Sequence, residues 1–110
     1  MQKISLIALA RHELEHAVNA SSGRSAKTIF GGHNNQLRQT LIAFRAGQTM
    51  AEHESPGEAT LQVMSGRVIL RVGADSWTGS AGDWMPLPRA VHSLDAVEDS
   101  VVLLTVVKDR

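Results

Sequence analysis

The chain has 110 residues, 11 acidic and 11 basic side chains, and 43% hydrophobic residues. That is enough for one domain with one core and too little for two, and the apolar content argues against disorder for the bulk of the chain. Zero net charge removes the electrostatic footprint of a nucleic-acid or acidic-membrane binder, and the absence of cysteine excludes disulfides, thiolate catalysis and Cys-based metal sites.

Met1-Gln2-Lys3 opens with a positive charge, and Ile4 to Ala10 is an apolar run with an Ala-x-Ala ending. A secretory signal spans about 15–30 residues, and this run is shorter. Leu6, Ile7, Ala10, Leu14, Ala17 and Val18 instead recur at helical spacing, with Arg11, Glu13 and Glu15 between them. Ser5 is placed to cap the start, and Gly23 lies beyond the end. The pattern predicts an amphipathic helix over roughly residues 5–20, packed on the rest of a cytoplasmic protein. No run approaches the ~18–20 apolar residues of a membrane span. His12 and His16, four apart, share a helix face at a spacing that can bind zinc. With charged neighbours and no third ligand they read as a solvated face.

Ser21 to Ser25 reads as a polar loop, and from about residue 28 to 108 the texture is strand-like. Leu37 to Arg45, Leu61 to Met64, Arg67 to Val72 and Val101 to Val107 are short apolar or β-branched runs. Gly47, Ser65-Gly66, Gly73-Ala74-Asp75, and Gly79 with Gly82 separate or flank them, and Ser65-Gly66 reads as a hairpin turn. Turns spaced about 8–12 residues apart predict an antiparallel sandwich or barrel. His33, in Gly31-Gly32-His33-Asn34-Asn35, reads as a turn residue.

Two stretches carry a family resemblance. In the first, Gly47, His53 and Gly66 stand at the spacing Gly, five residues, His-x-His, then Glu and Gly. In the second, Gly82-Asp83 and Pro86 precede His92. Together they resemble the two motifs of the cupin superfamily. Ser55 stands where the motif has its second histidine and Ala59 where it has glutamate, so two of four ligand positions are replaced. The resemblance covers roughly residues 37–107 and implies an all-β fold. That fold is a cupin-like double-stranded β-helix, a jelly-roll barrel, here with a short N-terminal α-helix and the whole 1–110 as one domain. It further implies a homodimer, and His92 on a strand facing His53 so that both imidazoles reach one ion.

Strand side chains alternate between faces, so His53 and Ser55 share a face and Glu52 and Glu54 take the other. Two histidines are short of the three protein ligands of catalytic zinc, and a non-haem iron triad needs one added carboxylate. Glu58 is the candidate, one residue before the motif's position and therefore on the opposite face unless a bulge intervenes. The candidate metal set is His53, His92 and Glu58, for manganese, iron, nickel or zinc. Candidate ligand contacts are His53, His92, Trp84 and Arg89, around an interior lined by Leu61, Val63, Leu70 and Val91. Arg89, in Pro86-Leu87-Pro88-Arg89, could overhang the barrel mouth and meet an anion. No Gly-x-Ser-x-Gly elbow and no tyrosine occur, so His53 and His92 are the internal acid–base candidates. Three readings stand at this point: a small-molecule-binding barrel, a metal-dependent dioxygenase or isomerase, and a sensor or accessory protein acting through a partner surface. Catalytic residues are not assigned.

Overall fold

A computed structural model describes residues 3–53 and 57–108, apart from the side chains of Glu52 and His53. The chain begins with helix α1 (Leu6–Asn19), whose first turn is closed by the Ser5 hydroxyl accepting from the Ala8 amide at 3.2 Å. At its other end Arg45 donates to the carbonyl oxygens of Val18 and Ala20, at 3.2 and 3.1 Å, satisfying groups that helical bonds leave open. Nine strands follow: β1 (Arg24–Phe30), β2 (Leu37–Phe44), β3 (Thr49–His53), β4 (Gly57–Ser65), β5 (Arg67–Val72), β6 (Asp75–Ser80), β7 (Trp84–Leu87), β8 (His92–Ala96) and β9 (Ser100–Lys108). They form a five-stranded sheet, β1-β2-β9-β4-β7, and a four-stranded sheet, β3-β8-β5-β6. Every pairing is antiparallel. Two packed sheets with these crossovers make the expected jelly-roll barrel.

Alternation along the strands decides what faces inward. On β4, Gly57, Ala59, Leu61 and Val63 are buried, while Glu58 and Gln62 are exposed. The main core lies between the sheets and includes Phe44, Leu61, Val63, Val68, Leu70, Leu94 and Val102. A second core lies on the outer face of the five-stranded sheet, where Ala10 and Ala17 of α1 cover Leu41, Ala43, Val101 and Leu103. The helix therefore packs on the barrel, but its buried face is shifted from the expected one. Ile7 is 66% exposed while Glu13 is 6% exposed, its carboxylate accepting from the Ser25 hydroxyl at 2.7 Å. That bond also explains why Arg24 and Ser25, expected in a loop, begin β1. They pair with Phe44 and Ala43 across the sheet, and the tertiary partners override a polar local sequence.

Ser65-Gly66 is not a hairpin turn. β4 pairs with β7 and β9, and β5 with β6 and β8, so the chain crosses here from one sheet to the other. The β8–β9 connection crosses back beside it. Ser100, fully buried, accepts from the Arg67 amide at 3.0 Å and approaches the carbonyl oxygens of Glu98 and Arg67 at 2.7 and 3.1 Å. Gly73-Ala74 is a true two-residue hairpin loop between Val72 and Asp75. Among the described residues no helix is long and apolar enough to cross a membrane.

Candidate functional site

The barrel interior is filled where Leu61 and Val63 were expected to line a cavity, and both belong to the packed core; Leu70, also expected there, borders the open space as well as the core. Space opens instead at the side. β6 is the last strand of one sheet and β7 the last strand of the other, and between these free edges lies a cavity of about 370 Å³. Leu70, Trp77, Met85, Pro86, Leu87 and Pro88 line it, so its walls are apolar. Pro86 suits an edge strand because it has no amide to donate to a further neighbour.

Which tryptophan faces this space follows from register. Trp77 pairs with Leu70, an inward residue, and is half exposed because β6 is the last strand of its sheet. Trp84 pairs with Gln62, an outward residue, and is 59% exposed on the outer face. The candidate Trp84 is thus separated from the cavity, and Trp77 takes its place. Both lie in alternating strand patterns, so the sequence signal that separates them is the pairing partner alone. Val91, expected inside, is exposed in the β7–β8 connection, as is Arg89.

His92 is 1% exposed. It opens β8, where His92, Leu94 and Ala96 are buried and Ser93 and Asp95 are less so, which puts the imidazole on the interior face. Its Nδ1 lies 3.0 Å from the Ala90 carbonyl oxygen. A carbonyl only accepts, so Nδ1 carries the proton and, in the neutral ring, the buried Nε2 carries the lone pair. This is the arrangement in which a backbone acceptor fixes the tautomer and orientation of the ring.

β3 and β8 are neighbours in one sheet, and His53 is the register partner of His92. A bulge makes it so: Met50 pairs with Leu94, and three residues later on β3 correspond to two on β8. Without that extra residue the strand would arrive at His92 one residue out of step. The side chain of His53 and the vacated position Ser55 lie outside the described residues. Ala59, at the motif's glutamate position, is buried in a row with Leu87 and Val106. Glu58 is exposed, pairs with Val107, and sits in an unbroken register from Gly57 to Val63. No bulge returns it to the interior, so the structure does not bring Glu58 together with His92.

These donors do not make a complete metal centre. Among the described residues no group of three His, Asp or Glu side chains could hold an ion. Two imidazoles fall one donor short of a catalytic zinc site and lack the carboxylate of an iron triad. Asp95 is a charged group with a clear perturbation. The Arg71 guanidinium, 2.6 Å away, holds its carboxyl below the usual range against a desolvation penalty, with help from the Thr49 hydroxyl at 3.0 Å. Asp95 and its partners lie on the outer face, where they tie β3, β8 and β5 together.

No protein-family model matches the chain, and no curated protein does. Solved structures do. A conserved protein of unknown function from Streptococcus pyogenes superposes with a TM-score of 0.74 at 26% identity, over 83% of this chain and 79% of that one. A cupin superfamily protein from Desulfitobacterium hafniense gives 0.72 at 14% identity, over 78% of each chain. A salicylate 1,2-dioxygenase from Pseudoaminobacter salicylatoxidans gives 0.77 at 19% identity, over 94% of this chain and 34% of that larger enzyme. The architecture is a cupin jelly roll. The chain shares this fold with neighbours that include an enzyme and a protein of unknown function.

Proposed function

We propose that this cupin-fold protein binds a small, largely apolar organic molecule in the cavity between β6 and β7; His92, which is not among the lining residues, and its register partner His53 are proposed as a separate polar pair. The observation that carries this reading is the cavity itself, about 370 Å³ and apolar-walled, beside a core that is otherwise filled. Apolar walls with few polar groups are the usual make-up of a small-molecule site. Trp77 offers a flat wall, which favours a ring of one or two fused cycles. The reading keeps the chain a single cytoplasmic domain, with neither nucleic acid nor a membrane as partner. Arg89 stands in the connection after the cavity's Pro88, close enough in the chain to act on an anionic substituent.

The probe for this reading is 1-naphthol, with thermal unfolding followed by circular dichroism. Wild type is expected to gain stability with probe concentration, as any native-state ligand requires. Trp77→Ala should lose most of that gain, and Trp84→Ala should keep it. EDTA should change neither result. Equal losses in the two variants would sink the cavity assignment. The second reading, a metal-dependent dioxygenase or isomerase using His53 and His92 with water, draws support from the register of the two histidines. A probe effect abolished by EDTA and by His92→Ala would favour it.

The reading also includes a homodimer. Phe30, Leu37 and Val107 are exposed on strands of the five-stranded sheet, and the edges of both sheets present unpaired backbone. Sedimentation velocity at micromolar concentration should return a species of twice the chain mass. A single monomer boundary would remove this part of the proposal.

A further inference from the structure

We infer that α1 carries a second, surface site for a divalent transition-metal ion, formed by His12 and His16 and independent of the barrel interior. Both side chains are exposed, beside the face that buries Ala10, Glu13 and Ala17. His12, Glu15, His16 and Asn19 fall at i, i+3, i+4 and i+7, one stripe of a helix. With Ala20 they line a surface cleft of about 490 Å³. The two imidazole centroids are 4.7 Å apart, with the rings tilted by 44°.

That separation is informative. An imidazole nitrogen lies about 2.0–2.1 Å from a bound ion, which puts the ring centre about 3.2 Å from it. Two rings on one ion at about 90° then have centres about 4.5 Å apart, and at a tetrahedral angle about 5.2 Å apart. The observed 4.7 Å lies nearer the right-angled case, the geometry of nickel(II) and copper(II) rather than zinc. The separation of the two rings thus allows both to bond one ion without rearrangement of the helix. Among the described residues no third His, Asp or Glu completes a cluster, so water fills the remaining positions and the ion exchanges. Glu15 adds negative charge from the cleft wall. His16 lies in the last turn of α1, where the helix dipole favours a cation. Arg45 already serves the Val18 and Ala20 carbonyl oxygens, so the histidines act from their own stripe and do not compete for those groups.

Isothermal titration with nickel(II) and copper(II) chloride in a non-coordinating buffer tests this on the full chain. One ion per chain is expected, with copper bound more tightly than nickel and nickel more tightly than zinc. His12→Ala and His16→Ala should each weaken binding by about tenfold or more, because either change turns a chelate into a single bond. Circular dichroism checks that both variants remain folded. His33→Ala should leave the isotherm unchanged. Binding that survives His12→Ala overturns the proposal. Binding lost only in His53→Ala/His92→Ala also overturns it and assigns the ion to the barrel. Absence of heat up to millimolar metal overturns it as well.

Discussion

Gly66→Ala is expected to cost about 3–5 kcal/mol, more than most single substitutions in the chain. Gly66 has φ +82°, where a Cβ meets its own backbone and costs about 1–2 kcal/mol. The larger part comes from its neighbours. A Cβ built there falls 2.2 Å from the Ser100 hydroxyl oxygen, 2.3 Å from the Asp99 carbonyl oxygen and 2.8 Å from the Ser100 Cα. Two of these three atoms are backbone, so relief requires the β8–β9 crossover to move. Ser100 bridges the Arg67 and Glu98 backbone there, and moving it leaves buried polar groups without partners. Gly73→Ala is the control: φ is +59°, but nothing lies within 4 Å, so only the backbone term of about 1–2 kcal/mol applies. Urea denaturation of both variants against wild type separates the two terms, and thermal unfolding should show Tm for Gly66→Ala lower by roughly 15 °C or more. Equal losses in the two variants would show that the paired crossovers do not form a rigid corner.

The same corner shows where sequence reading succeeded and where it stopped. Glycines at 47, 66, 73 and 82 punctuate the chain, and all four have positive φ, so the turns were legible. What a turn connects was not. Gly73 closes a hairpin while Gly66 passes the chain between sheets, and nothing local distinguishes them. Parity on β4 was legible too: Ala59 inward and Glu58 outward follow from alternation once the register is unbroken. The pairing of His53 with His92 depends on a bulge between Met50 and His53, which no residue there announces. Trp77 and Trp84 illustrate the same limit from another side. Each alternates correctly within its own strand, but only the partners Leu70 and Gln62 decide that one faces inward and the other outward. Cavities arise where two sheet edges fail to meet, a property of the assembled sheets and not of any strand. That is why the lining by Met85, Leu87 and Pro88 was missed while the core positions Leu61, Val63 and Leu70 were found.

Leu61→Ala should cost about 3–4 kcal/mol and, at the same time, strengthen the effect of an apolar probe. Leu61 is 1% exposed at the centre of the inner face, in a row with Leu104 on one side and Met85 on the other. Truncation removes buried methyl groups and leaves a void that neighbours in two sheets only partly close, which sets the cost in the usual range for such sites. Met85 is shared between this row and the cavity wall, so the new void adjoins the existing space of about 370 Å³. An apolar molecule entering the merged space regains contacts that the truncation removed. Stability without probe therefore falls, while the stabilisation contributed by 1-naphthol rises above its wild-type value. Val97→Ala, at a 45% exposed position, should stay within about 0.5 kcal/mol of wild type and leave the probe effect alone. A Leu61→Ala protein that loses stability and gains nothing from the probe would mean that Met85 seals the core from the cavity. The binding space would then be confined to the edge strands, and Trp77 with Pro86, Leu87 and Pro88 would be its whole determinant.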